Sequence, residues 1–112
     1  MSYLGIDIGT SGVKAILIDG DGRPLGEASA RAVEPVRPHP GWSEQNPNDW
    51  WTATLEAVDR LQAAHPAALA ATRAIGLSGH MHGATLLDRD DKVLRPAILW
   101  NDGRSATECA EM

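Results

Sequence analysis

The chain has 112 residues, 43% of them hydrophobic, which is enough for a packed core and argues against a disordered tail. Its formal net charge of −5 offers no cluster of Lys and Arg, so we expect neither nucleic acid nor an anionic membrane as a partner. The one cysteine, Cys109, excludes an intrachain disulfide, and the lack of a signal-peptide pattern or a membrane-length apolar run predicts a cytoplasmic protein.

The first third of the chain predicts three short strands joined by glycine-rich turns. Apolar stretches favour strands over residues 3–8, 13–19 and 24–33, and the turns fall at 9–12 and 19–22. Short strands connected in this way form an antiparallel meander.

A helix is predicted after an irregular, proline-rich stretch over residues 35–40. Asn46 suits the N-cap and Pro47 the first turn, so we expect a helix that runs to about Ala64 and is stopped by Pro66. The face expected to pack on the core carries Trp51, Leu55, Val58 and Leu61 or Gln62.

The second half predicts further strands and one more helix. A short buried strand is expected over 71–78, a hairpin over 84–94 and a strand-like segment over 96–100. Ser105 and Glu108 have the spacing of a capping box at the start of a second helix. No helix stop precedes Met112, so we expect the chain to be the N-terminal part of a larger domain, with a second domain absent.

The turn between the first two strands combines an acid with small residues. Gly9 and Gly12 allow positive φ and close approach to a phosphate, and Thr10 and Ser11 add hydroxyl donors. Asp7 cannot bind a phosphate directly without repulsion, which implies a metal ion or water as mediator. The alternative is a plain hairpin whose turn Asp7 caps. No P-loop and no GxGxxG before a helix is present.

The loop over residues 79–83, GHMHG, suits a sugar better than a metal. His82 can hydrogen-bond a hydroxyl and Met81 can cover an apolar sugar edge, whereas zinc would need more ligands than this loop offers. His80 is as well explained by a satisfied loop histidine. For Trp50 and Trp51 we favour packing over sugar stacking.

These motifs resemble a known family. GIDIGTSGVK resembles the first phosphate motif of the sugar kinase/Hsp70/actin superfamily, in which a β-hairpin cradles ATP phosphates and an Asp acts through Mg²⁺. Together with GWSEQNP, GHMHG and AILWNDGR, it resembles the D-xylulose kinases of the FGGY carbohydrate kinase family over essentially the whole chain. The resemblance implies an α/β fold, the N-terminal part of a ribonuclease H-like, actin-type ATPase domain.

Two alternatives stay open beside D-xylulose. The Met-His-Gly tripeptide favours that sugar, but a kinase for ribulose, glycerol or a similar substrate shares the hairpin. An inactive binding fragment is the other alternative. A chaperone-like ATPase or filament protein would need the hairpin but neither GWSEQNP nor GHMHG, so those motifs count against it.

The resemblance also implies roles for individual residues, with ATP and Mg²⁺ as co-substrate and cofactor. Asp7 would act beside Mg²⁺, through water; the phosphates would be lined by Gly9, Thr10, Ser11, Gly12 and Lys14; the sugar cleft would hold Met81, His82, Asn101, Asp102 and Arg104. The D-xylulose kinases that the chain resembles often carry Gln where this sequence has His80, a departure that leaves the role of His80 open and loosens the choice of sugar. The proton-accepting Asp and the adenosine site would lie beyond residue 112. We therefore expect this chain alone to be inactive, and a homodimer is one assembly open to the full-length protein.

Overall fold

The computed structural model describes residues 1–112 and contains six strands and three helices. The strands are β1 (Ser2–Ile8), β2 (Gly12–Asp19), β3 (Pro24–Arg31), β4 (Glu44–Gln45), β5 (Thr72–Gly79) and β6 (Ala97–Ile98). The helices are α1 (Pro47–Ala64), α2 (Pro66–Ala70) and α3 (Ala106–Glu111). None of these helices combines the length and apolar character that a bilayer crossing needs.

The predicted meander is present. β1, β2 and β3 pair antiparallel in the order of the chain, and Asp7 lies opposite Lys14 in the β1–β2 register. The hairpin closes where the Gly9 N–H donates to the carbonyl oxygen of Gly12, at 2.8 Å. Local patterns of alternation and glycine placement thus determine this part of the fold.

β5 extends the sheet on the other side of β1 and runs parallel to it. A parallel pair needs a crossover connection, which α1 and α2 supply. The pairing aligns Ile8 with Gly79, so the two strands end together. A Cβ on Gly79 would lie 2.9 Å from the carbonyl oxygen of Ile8, which explains why the strand ends on glycine. Parallel pairing therefore joins the hairpin to the GHMHG loop.

α1 begins as predicted but buries a different face. Asn46 caps it, since the side-chain oxygen accepts from the Asn48 N–H at 3.0 Å. The buried residues are Ala53, Thr54, Ala57 and Leu61, which face β2 and β3. Of the expected face only Leu61 is buried, because the small side chains let the helix approach the sheet closely.

The larger side chains of α1 line an open groove instead. Trp51 and Leu55 are 64% and 45% exposed, and half-buried Val58 lies beside them. With residues of β1 and β5, including Leu77, they line an apolar groove of about 630 Å³. The packing role predicted for Trp51 is therefore wrong within this chain.

The burial predicted for the strand over residues 71–78 is also wrong. β5 is the edge strand of the sheet, and Ile75 and Leu77 are 59% and 76% exposed. α1 packs chiefly on β2 and β3, so it leaves this edge uncovered. Pro66 ends α1 as expected but also begins the short α2, a position that proline favours.

The two remaining strands form a small second sheet. β4 pairs antiparallel with β6, and isolated bridges join Ala84 to Ile98 and Leu87 to Val93. The predicted hairpin over 84–94 is thus present as bridges around a turn rather than as regular strands. At α3 the predicted capping box is wrong, because the Ser105 side chain makes no cap hydrogen bond.

Candidate functional site

The acid of the hairpin is free to bind a ligand. Asp7 is exposed near the end of β1, and its carboxylate has no hydrogen-bond or ion-pair partner in the chain. Lys14, opposite in register, pairs instead with Glu27, with 3.2 Å between Nζ and Oε2. Both side chains of that pair are more than half exposed, so it contributes little to stability.

Gly12 is required by close packing. A Cβ at this position would lie 2.5 Å from the backbone oxygen of Ala30 on β3. Neither Gly9 nor Gly12 has a positive φ, so the turn does not use the conformational freedom that both glycines allow. The absence of a side chain at Gly12 therefore lets β2 and β3 lie close together, and its approach to a phosphate stays a prediction.

A recess of about 200 Å³ opens where β1 and β5 end. Its lining includes Asp7, Thr10 and Met81, for which the sequence predicts contacts with phosphate or sugar, together with Trp100, for which it does not. Trp100 is 63% exposed and Met81 is 68% exposed, so both offer apolar surface to a ligand. The carboxylate of Asp7, the turn that carries Thr10, and the apolar side chains of Met81 and Trp100 therefore meet at this recess.

The other side of the hairpin borders a larger cleft of about 730 Å³. Asp7, Ser11, Gly12 and Lys14 lie on it. Its far wall carries Arg60, which bonds to the backbone oxygen of Ser29 and to Glu56. Residues of the hairpin thus line two cavities, and Asp7 borders both.

Two further predicted sugar residues lie near the recess without lining it. His82 is exposed and has a φ of 56°, a left-handed conformation that is uncommon for residues other than glycine. Such strain is frequent at ligand-binding sites. Asn101 is exposed and follows Trp100 directly.

Asp102 and Arg104 belong to a buried ionic cluster. The Asp102 carboxylate accepts from the Ser43 N–H at 2.6 Å and from the Arg104 guanidinium at 2.6 and 2.8 Å. Arg104 also donates to Glu44 at 2.8 Å, and its guanidinium lies 3.7 Å from the ring centre of Trp42. The cluster holds β4 against the segment after β6, so both residues serve internal contacts within this chain.

The same contacts perturb both charges. Hydrogen bonds from Arg104 hold the pKa of the Asp102 carboxyl well below its usual range, against the opposite effect of burial. The hydrogen bond to Asp102 raises the pKa of Arg104 further above its ordinary value. Asp102 is therefore a carboxylate at every physiological pH.

A chain of contacts that the sequence motifs do not predict joins the hairpin to the GHMHG loop. Gln45 donates through Nε2 to the backbone oxygen of Thr10 at 3.0 Å and accepts the indole N–H of Trp50 at 2.8 Å. The Trp50 ring stacks on His80, with 4.8 Å between ring centres. The GWSEQNP motif contributes to the family resemblance, but its spacing alone does not show what Gln45 touches.

The strand order and the position of the hairpin define a class of fold. An antiparallel three-stranded meander is followed by a crossover helix and by a strand that lies parallel to β1, and the hairpin that carries Asp7 lies at the end of β1. This is the N-terminal part of the actin-like ATPase fold, in the form found in sugar kinases.

Comparison with known proteins narrows the class. The FGGY family of carbohydrate kinases, N-terminal domain, matches residues 2–112. "Xylulose kinase" of Escherichia coli (strain K12) is 53% identical over 107 residues, which is 96% of this chain and 22% of the relative. "Xylulose kinase" of Bacillus subtilis (strain 168) is 44% identical over 113 residues, 100% of this chain and 22% of the relative. A crystal structure of a "xyloylose kinase" from Brucella ovis matches with a TM-score of 0.96 and 58% identity, over 99% of this chain and 23% of that one.

The chain belongs to the FGGY family of carbohydrate kinases. It spans about a fifth of the length of the curated relatives that it matches.

Proposed function

We propose that the full-length protein phosphorylates D-xylulose at the expense of ATP, and that this segment supplies the phosphate hairpin and part of the sugar site. The observation that carries the proposal is the recess in which Asp7 and Thr10 face Met81 and Trp100. Relatives called xylulose kinase that are 53% and 44% identical support the choice of sugar.

Asp7 fits a magnesium ion that keeps most of its water. The chain has no cluster of three or more His, Cys, Asp or Glu that could hold a metal by itself. Mg²⁺ in phosphoryl transfer is commonly bound by one or two carboxylates together with substrate phosphates and water, and Asp7 offers one unpaired carboxylate. When bound, the ion would neutralise charge on the phosphates.

The residues of the chain would position both substrates. Thr10 and Ser11 offer hydroxyl and backbone donors to phosphate oxygens at the turn, with Gly9, Gly12 and Lys14 around them. Met81 and Trp100 would hold the apolar face of the sugar, while His82 and Asn101 would bond its hydroxyls from the rim. Asp102 and Arg104 would act by holding that rim in place.

The group that accepts the proton of the attacking hydroxyl would come from outside these 112 residues. Asp7 is the only acid among the residues that line the recess, and an acid engaged beside a cation is a poor base. The 112-residue chain alone should accordingly show no kinase activity. A cytoplasmic location is part of the proposal, and the homodimer remains one assembly open to the full-length protein.

A coupled ADP-release assay on the full-length protein tests the proposal. We expect turnover with D-xylulose, less with ribulose or glycerol, and none without Mg²⁺. Asp7→Asn should lower kcat by about 10³-fold, the order expected when a group that stabilises transferred-phosphate charge is lost. Asp59→Asn, an exposed acid on α1, is the matched control. Preference for another acceptor would contradict the sugar assignment, and full activity in Asp7→Asn would contradict the role of that residue.

A further inference from the structure

We propose that Gln45 is a positioning residue that, with Trp50 and His80, holds the phosphate hairpin in register with the GHMHG loop. The inference rests on the proposed function, since it concerns how two substrate-binding elements are aligned. None of the three residues needs to touch ATP for this role.

The buried amide of Gln45 is the centre of the arrangement. Its residue is 2% exposed, and Nε2 donates to the backbone oxygens of Thr10 at 3.0 Å and Val33 at 2.6 Å. Oε1 accepts the indole N–H of Trp50 at 2.8 Å. A rotated amide would set Oε1 against two carbonyl oxygens and the NH₂ against an N–H donor, so only this orientation satisfies the site. The hydrogen bonds to Thr10, Val33 and Trp50 therefore fix the orientation of the Gln45 amide.

The connection continues from Trp50 to the GHMHG loop. The indole ring stacks on the His80 imidazole with an interplanar angle of 29° and 4.8 Å between ring centres. The backbone N–H of His80 donates to the oxygen of Ile8 at 3.1 Å, which ties the loop back to the end of β1. His80 therefore has its backbone on the strand that leads into the hairpin and its ring on Trp50.

These contacts end on two residues that line the recess. Thr10 and His80 both line it, beside Asp7 and Met81. Gln45 donates to the backbone oxygen of Thr10, and it is connected through Trp50 to the ring of His80, which precedes Met81. One buried amide thus sets the distance between the hairpin side of the recess and the side formed by the GHMHG loop. Phosphoryl transfer depends on that distance because the acceptor oxygen and the phosphorus must be held at attack separation.

Gln45→Met tests this role because it keeps the length of the side chain and removes its hydrogen bonds. In the full-length protein we expect kcat with D-xylulose to fall by about 10–100-fold, the effect of a displacement of about 1 Å, while KM for sugar and for ATP changes much less. Each substrate still meets its own binding element; what is lost is their alignment. Rates are normalised to sites counted by bound ATP analogue, so that unfolded protein does not lower kcat.

Two other variants complete the test. Trp50→Phe keeps an aromatic ring against His80 and removes only the indole N–H, so it should give a smaller fall in kcat with the same pattern. If Gln45→Met does not fold, Trp50→Phe tests the inference by the same comparison of kcat with KM. Gln62→Met, an exposed position on α1, is the matched control and should behave as the wild type. Unchanged kcat in a folded Gln45→Met or Trp50→Phe protein overturns the inference.

Hydrogen exchange separates this inference from the proposed function. Amides of residues 9–12 and 79–83 should exchange faster in Gln45→Met than in Gln62→Met, whatever the substrate is. If the wild type does not phosphorylate D-xylulose, the proposed substrate is wrong and the exchange result still decides the inference. Equal exchange in the two variants would show that Gln45 does not hold these segments together.

Discussion

Gly12→Ala is the substitution whose effect follows most directly from the structure. The added Cβ would lie 2.5 Å from the Ala30 oxygen, with the Ala30 carbonyl carbon at 3.4 Å and the Arg31 Cα at 3.5 Å. Since carbon and oxygen rarely approach within about 3.3 Å, β2 and β3 must separate by about 0.8 Å at the hairpin. All three atoms belong to backbone, so no side-chain rotation relieves the contact.

The displacement has a cost in stability and in catalysis. Overpacking of this kind lowers the free energy of unfolding by about 1–3 kcal/mol, measured by urea denaturation. The shift also moves the turn that carries Thr10 and Ser11, and a displacement approaching 1 Å at a reacting centre reduces the rate by about 100-fold. We therefore expect kcat of the full-length protein to fall by more than the loss of stability explains.

Gly20→Ala is the matched control. Gly20 lies in the turn after β2, has no positive φ, and a Cβ there would meet only the Met1 Cε at an ordinary 3.5 Å. That substitution should be neutral or stabilise the fold by about 0.4–1 kcal/mol, since alanine restricts the unfolded chain. Wild-type stability together with wild-type kcat in Gly12→Ala would refute the steric argument.

Two further outcomes follow from the packing and from the ionic cluster. Leu61→Ala, at a fully buried position, should lower the free energy of unfolding measured in urea by about 2–5 kcal/mol. Leu55→Ala, at a side chain that is 45% exposed, should cost less than half of that. Equal losses in the two variants would mean that α1 buries another face. The lowered pKa of Asp102 adds stability that is present above the unfolded carboxyl pKa of about 4 and is lost as the pH falls below it. Asp102→Asn should lower the melting temperature at pH 7 and flatten the fall in stability below pH 4; acid-induced melting curves of unchanged slope would contradict the role of this carboxylate.

Local signals in the sequence determined the elements that need few partners. Glycine spacing predicted the hairpin after β1, and the Asn46–Pro47 pair predicted where α1 begins, because turn geometry and capping depend on residues within a few positions. The motifs of the hairpin and of residues 79–83 also predicted the family to which the chain belongs.

Which residues meet was decided by the tertiary structure. The hydrogen bond from Gln45 to Thr10 spans 35 positions and that from Arg104 to Glu44 spans 60, and no periodicity encodes such pairs. The face of α1 was likewise decided by fit to the sheet, where small residues such as Ala57 pack more closely than the hydrophobic stripe that includes Trp51. Asp7 could be recognised from the sequence as a candidate ligand, but only the parallel pairing of β1 with β5 brings Met81 to the same recess, because strands distant in the chain end together only when the sheet has formed.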